Sequence, residues 1–134
     1  MYQDTVTIYC KREEEYLPRV LHGVEAQLGT AATAKAFSIE AASNGLLLVP
    51  LELKGSEIYT LEDGLKYMRP KQWENTEEIS QAVYFGANEC FIVAGSTSFT
   101  GSFEQIKSMY DDVYLIASVT LYNGILPHLE VILK

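Results

Sequence analysis

Residues 110–134 read YDDVYLIASVTLYNGILPHLEVILK, and the Asn123-Gly124 dipeptide within them separates two runs of strand-forming residues. A type I′ turn needs positive φ at both central residues, which Asn and Gly tolerate, and its twist matches that of the flanking strands. A turn centred there pairs Tyr122 with Ile125, Ser118 with Leu129, Ile116 with Val131 and Tyr114 with Leu133 on one face. That face is almost wholly apolar and is predicted to be covered. The other face pairs Leu115 with Ile132, Ala117 with Glu130, Val119 with His128 and Leu121 with Leu126, and is only half apolar. Pro127 has no N–H for a ladder, so residues 125–133 are expected to form an edge strand or to carry a bulge near their start. An edge strand in that position is a natural docking site for another chain.

The hairpin belongs to a chain of 134 residues, which gives room for one domain (1–134) and a modest core. With 48% hydrophobic and 21% charged residues the composition is that of an ordinary globular protein. No apolar run approaches the roughly 20 residues that cross a bilayer. The opening Met1-Tyr2-Gln3-Asp4 lacks both the basic start and the apolar stretch of a signal peptide, so neither secretion by that route nor a membrane span is expected. Cys10 and Cys90 are isolated in sequence. A disulfide is unforced, and two half-buried strand thiols in a reducing cytoplasm are expected. The net charge of −8 excludes a protein that grips nucleic acid by its phosphates, which needs an excess of Lys and Arg.

Upstream of the hairpin the pattern is mostly that of strands. Val6 and Ile8 alternate with Thr5, Thr7 and Tyr9, which predicts a first strand with one side buried. Residues 16–28 read as its partner, with Pro18 near the start and Gly23 marking a bend or bulge. Residues 29–44 are rich in Ala, Thr and Ser with little apolar periodicity, and are expected to form a long excursion. Residues 46–53 predict a core strand. Pro70 excludes helix at Arg69 and opens a helical turn over residues 70–73. Residues 80–85 and 89–94 predict two more strands, the second nearly all apolar and so central. Phe103, Ile106, Met109 and Tyr110 lie at helical spacing behind Ser102, a suitable N-cap. The sum is a mainly β fold, a small β-barrel or sandwich of six to seven short strands with one helix over an open end and long loops.

Chemistry-bearing patterns are sparse. His22 and His128 stand on different predicted strands without neighbouring ligands at metal spacing, so neither a metal nor a cofactor is expected. The glycine-bounded residues 95–101 are hydroxyl-rich, yet they lack the Gly-Lys-Ser/Thr ending of a phosphate loop and read as a strand-to-helix connection. No Gly-x-Ser-x-Gly elbow is present, and the acidic pieces at 13–15, 62–63, 77–78 and 111–112 read as solvated loop ends. What stands out is aromatic content beside a cation. Tyr59, Tyr67 and Trp73 flank Arg69-Pro70-Lys71, the composition of an interface hot spot. A lone Trp also plugs cores, and both roles are met if Trp73 anchors the segment while Tyr67 and Arg69 face outward. The residues expected to make protein contacts are therefore Tyr67, Arg69, Trp73, Ile125 and His128.

Five pieces of the chain, taken in order, carry a resemblance. They are Tyr2-Gln3-Asp4-Thr5-Val6-Thr7-Ile8-Tyr9, Tyr16-Leu17-Pro18-Arg19-Val20-Leu21-His22-Gly23-Val24, Tyr67-Met68-Arg69-Pro70-Lys71-Gln72-Trp73-Glu74, Tyr114-Leu115-Ile116-Ala117-Ser118-Val119 and Leu126-Pro127-His128-Leu129-Glu130-Val131. Together they resemble the head–tail connector, or head-closure, proteins encoded among the capsid and tail genes of tailed phages and prophages. Many members of that group have no assigned function. The resemblance implies a small β-barrel with long loops, assembled as a homo-oligomeric ring between portal and tail, without enzymatic activity or cofactor. It places the protein in the virion or the bacterial host cytoplasm, with DNA passing through the ring rather than being bound by sequence. The Ala-rich residues 29–43 depart from the resemblance, where more charge is expected. Two other readings remain: a tail-completion or tail-terminator protein, and a small cytoplasmic barrel that binds a ligand in its cavity.

Overall fold

The computed structural model of the protein describes residues 3–28, 45–54 and 58–134. Ten strands form among them: β1 (Asp4–Arg12), β2 (Glu15–Leu28), β3 (Gly45–Pro50), β4 (Glu52–Lys54), β5 (Ile58–Thr60), β6 (Lys66–Met68), β7 (Ala82–Tyr84), β8 (Phe91–Ala94), β9 (Val113–Tyr122) and β10 (His128–Leu133). Two helices join them, α1 (Pro70–Asn75) and α2 (Phe103–Met109), with a 3₁₀ turn at Ile79–Gln81. Six strands close a barrel in the order β1-β2-β3-β10-β9-β8, and the other four make a side sheet ordered β4-β5-β6-β7. The mainly β expectation holds, and of barrel and sandwich the barrel is the one formed. The excursion expected at residues 29–44 lies outside the described residues.

A barrel of six strands is narrow enough for side chains to fill it. Val6, Ile8, Leu21, Leu47, Val49, Ile116, Leu129, Val131 and Leu133 are all buried in its core cluster. Their removal from water is the main stabilising term, at ~1.5–3 kcal/mol for each large apolar side chain. β1 is buried on both faces, not one. Val6, Ile8 and Cys10 point into the barrel core, while Tyr9 belongs to a second cluster with Phe91, Val93, Ile106 and Val113. Because successive side chains alternate across a strand, this second cluster lies on the outer face of β1, β8 and β9. Helix α2 covers that outer face through Ile106, where the sequence suggested a helix over an open end. Ser102 caps it as expected, accepting from the Gln105 N–H at 3.3 Å while the Gln105 side chain accepts from the Ser102 N–H at 2.9 Å.

The bend expected in β2 is a bulge. Asp4 faces Val24 but Val6 faces Leu21, so β2 carries an extra residue there, and Gly23 supplies the left-handed backbone at φ 69°. The side sheet was not legible as a separate layer. Its strands have three residues each, and β6 runs parallel to β7. Arg19 ties this layer to the barrel: its guanidinium donates to the carbonyls of Ile79 at 2.7 Å, Ala82 at 3.0 Å and Pro18 at 2.9 Å.

Two expectations for the closing hairpin are corrected. Its loop spans residues 123–127, and the register pairs Tyr122 with His128, Leu121 with Leu129 and Val119 with Val131. This differs by three residues from pairing across Asn123-Gly124, and an odd shift exchanges the two faces. Ser118 is thereby exposed, and Val119 and Leu121 pack against the core in its place. A bulge between Ile132 and Leu133 then returns Ile116 to the inside. The second correction concerns the edge. β10 pairs with β3 as well as β9, because Leu47 and Val49 need the same closed interior. Pro127 remains compatible because it precedes the strand, and its carbonyl accepts from the Leu51 N–H at 2.9 Å.

Candidate interaction surface

The residues expected to make contacts fall into two groups. Tyr67 lies on β6, Arg69 is the N-cap between β6 and α1, and Trp73 is on α1, while Ile125 lies in the β9–β10 loop and His128 is the first residue of β10. In the first group Trp73 is an anchor. It is buried, its Nε1–H donates to the Lys11 carbonyl at 2.8 Å, and its ring stacks on Tyr84 at 5.7 Å. The Arg12 guanidinium lies 5.9 Å from the Trp73 ring. Pro70 starts the helix at its first position, where the missing N–H costs nothing. Tyr67 is half-buried beside Phe85, and burial raises its phenol against the opposing pull of Arg69. Of this group Arg69 alone is exposed.

The second group forms a projecting tip. Ile125 is 99% and Leu126 82% exposed. Both are rooted by their neighbours: Leu51 holds the Pro127 carbonyl, and His128 Nδ1 lies 3.0 Å from the Leu126 carbonyl oxygen. The His128 ring stacks on Tyr122 at 5.0 Å and 10°, and its Nε2 lies 3.2 Å from Glu130 Oε2. The Leu126 carbonyl first, and then Glu130, favour the protonated ring and raise His128 above its ordinary 6.5. Leu126, Tyr122 and Glu130 were missed as members of this surface. Pro127 was the available signal, since a loop ending at that proline leaves both Ile125 and Leu126 outside the ladder.

Several clefts among the described residues carry polar groups. One of about 550 Å³ lies between the β2 bulge and the side sheet, lined by Gly23, Leu51, Glu52, Thr60 and Glu62. A second, of about 430 Å³, is lined by Lys11, Arg12, Glu13, Glu74, Tyr84 and Glu89. Three of its side chains are engaged internally: Arg12 donates to the Glu74 and Thr76 carbonyls, and the Tyr84 hydroxyl donates to Glu89 at 2.7 Å. Burial, then Glu89, raises the Tyr84 phenol. The hydroxyl-rich residues 95–101 are also stitched down, with Thr7 Oγ1 donating to the Gly95 carbonyl and accepting from the Thr97 N–H. Among the described residues no group of three or more His, Cys, Asp or Glu is placed to hold a metal ion. No helix among them is long and apolar enough to cross a membrane.

Fold and surface together define a small closed β-barrel with a side sheet and a projecting apolar hairpin tip. The chain belongs to the family of unknown function DUF6751, whose model matches residues 1–132. No curated protein and no solved structure matches it.

Proposed function

We propose that this chain is a non-enzymatic assembly subunit of the head–tail connector, or head-closure, kind. In this reading copies join in a ring at the head–tail junction of a phage or prophage particle through the β9–β10 tip. The observation that carries it is the Ile125-Leu126 pair, almost wholly in water at the end of a well-rooted hairpin. Covering both side chains is worth up to roughly 3–6 kcal/mol per contact, which gives the tip a reason to be covered. A ring needs a head-to-tail interface, in which a projection on one copy meets a different patch on the next. The barrel offers no free edge at β10, so the tip meets its neighbour through side chains rather than by adding a strand. Arg69, exposed beside the half-buried Tyr67, is the second contact, toward portal or tail proteins. The net charge of −8 suits a ring wall that DNA slides past without adhering. The filled barrel interior favours this reading over a ligand-binding barrel, since the core side chains occupy the space a ligand would take.

The test is the double substitution Ile125→Asp with Leu126→Asp in the genome that encodes the protein, with particles viewed by electron microscopy. The variant is expected to fold, since both residues are exposed, and to give filled heads and detached tails. Tailed particles at the unaltered yield would overturn the proposal.

A further inference from the structure

The tip contains one ionisable ring whose two nitrogens both face acceptors. His128 Nδ1 lies 3.0 Å from the Leu126 carbonyl oxygen, and Nε2 lies 3.2 Å from Glu130 Oε2. Neither a carbonyl nor a carboxylate has a proton to give. Neutral imidazole has one N–H and makes one of these bonds, whereas imidazolium makes both. Among the described residues no competing cation acts on the ring. Glu130 on the same strand is the charged group against the ring, the Tyr122 phenol on β9 is the other titratable one, and the β3 partner is Pro50.

We propose that His128 is a proton-operated latch for the hairpin tip: the doubly protonated ring ties the Leu126 carbonyl to the Glu130 carboxylate and fixes the Ile125-Leu126 pair in its projecting position. Losing one proton releases one of the two ties. The tip then samples more conformations, and docking must order it again, which weakens association. The sign follows from linkage. The latched form holds the extra proton and His128 is raised above 6.5, so the latch contributes fully below about pH 6.5 and is lost as pH rises through the raised value. The consequence for assembly rests on the reading of the tip as a contact between copies, while the latch itself rests on the ring geometry.

The experiment is an NMR titration of the isolated protein from about pH 5 to about pH 9, across the imidazole range. It follows the His128 ring nitrogens together with the backbone amides of Ile125 and Leu126. Expected are a His128 midpoint above 6.5, tip amides that shift with that same midpoint, and a lower midpoint in Glu130→Gln. A His128 midpoint at or below 6.5, or tip amides indifferent to it, would overturn the latch. If the tip titrates as expected but Ile125→Asp with Leu126→Asp leaves particle assembly intact, the latch stands and the assembly reading falls.

Discussion

Replacing Arg19 by Met tests whether one side chain holds the side sheet to the barrel. The guanidinium reaches the Ile79 and Ala82 carbonyls at 2.7 and 3.0 Å, both across the boundary between layers, while the third bond, to Pro18, is local. Met keeps most of the volume and the apolar stem but removes every donor. Two charge-assisted bonds to partly buried carbonyls contribute about 1–1.5 kcal/mol each after exchange with water, so Arg19→Met should cost about 2–3 kcal/mol. With a urea slope of roughly 2 kcal/mol per molar, the unfolding midpoint should fall by about 1–1.5 M. Trp73 is the only tryptophan and is buried, so its fluorescence reports unfolding without a label, with circular dichroism as the second probe. Arg19→Lys should lose about half as much, because an ammonium cannot fork to two separated carbonyls. An Arg19→Met midpoint within about 0.2 M of the unaltered protein would refute the clamp.

Two further outcomes follow from the fold. Burial pushes the Cys10 thiol up to about 12 and the Cys90 thiol up to about 11, which disfavours the reactive thiolate. A thiol reagent at about pH 8 should therefore leave both unlabelled until the protein unfolds; rapid labelling of either in the native state would contradict the buried placement. Gly23→Ala should destabilise by at least about 1–2 kcal/mol, the cost of a left-handed backbone for an L residue. The added Cβ also clashes with the Glu62 carboxylate. Adding Glu62→Ala should recover the steric part alone, and denaturation of the single and double variants separates the two; full recovery would show that the backbone carries no strain.

Local patterns in the sequence marked local structure well. Gly23 signalled the β2 bulge, Ser102 the cap of α2, and Pro70 the start of α1, because each acts on its own backbone or within one turn. The alternation of Val6 and Ile8 identified β1, though not that Tyr9 faces a second core, which requires knowing that α2 returns to that side. Cys10 and Cys90 were expected half-buried and are fully buried, since the barrel closes over both. The hairpin register failed where a local rule met a tertiary one. Asn123-Gly124 favours a tight turn, but placing Leu121 and Val119 beside Leu129 and Val131 stabilises the interior more than a two-residue loop stabilises the turn. The three-residue strands of the side sheet are too short to show any period. Of the candidate contact residues, Trp73 was legible as an anchor, while Ile125 was assigned to the covered face of the hairpin and Leu126 to its ladder, and both are exposed.

Closure of the barrel also dictates when the fold can exist. β1 is joined to β8, with Val6 opposite Ala94, and the circle is finished only when β10 enters between β3 and β9. A nascent chain lacking that last strand has two open rows of amides and a greasy trough where the interior will be. Such a species is sticky in a crowded cell, and the chain leaves it only when β10 (His128–Leu133) arrives.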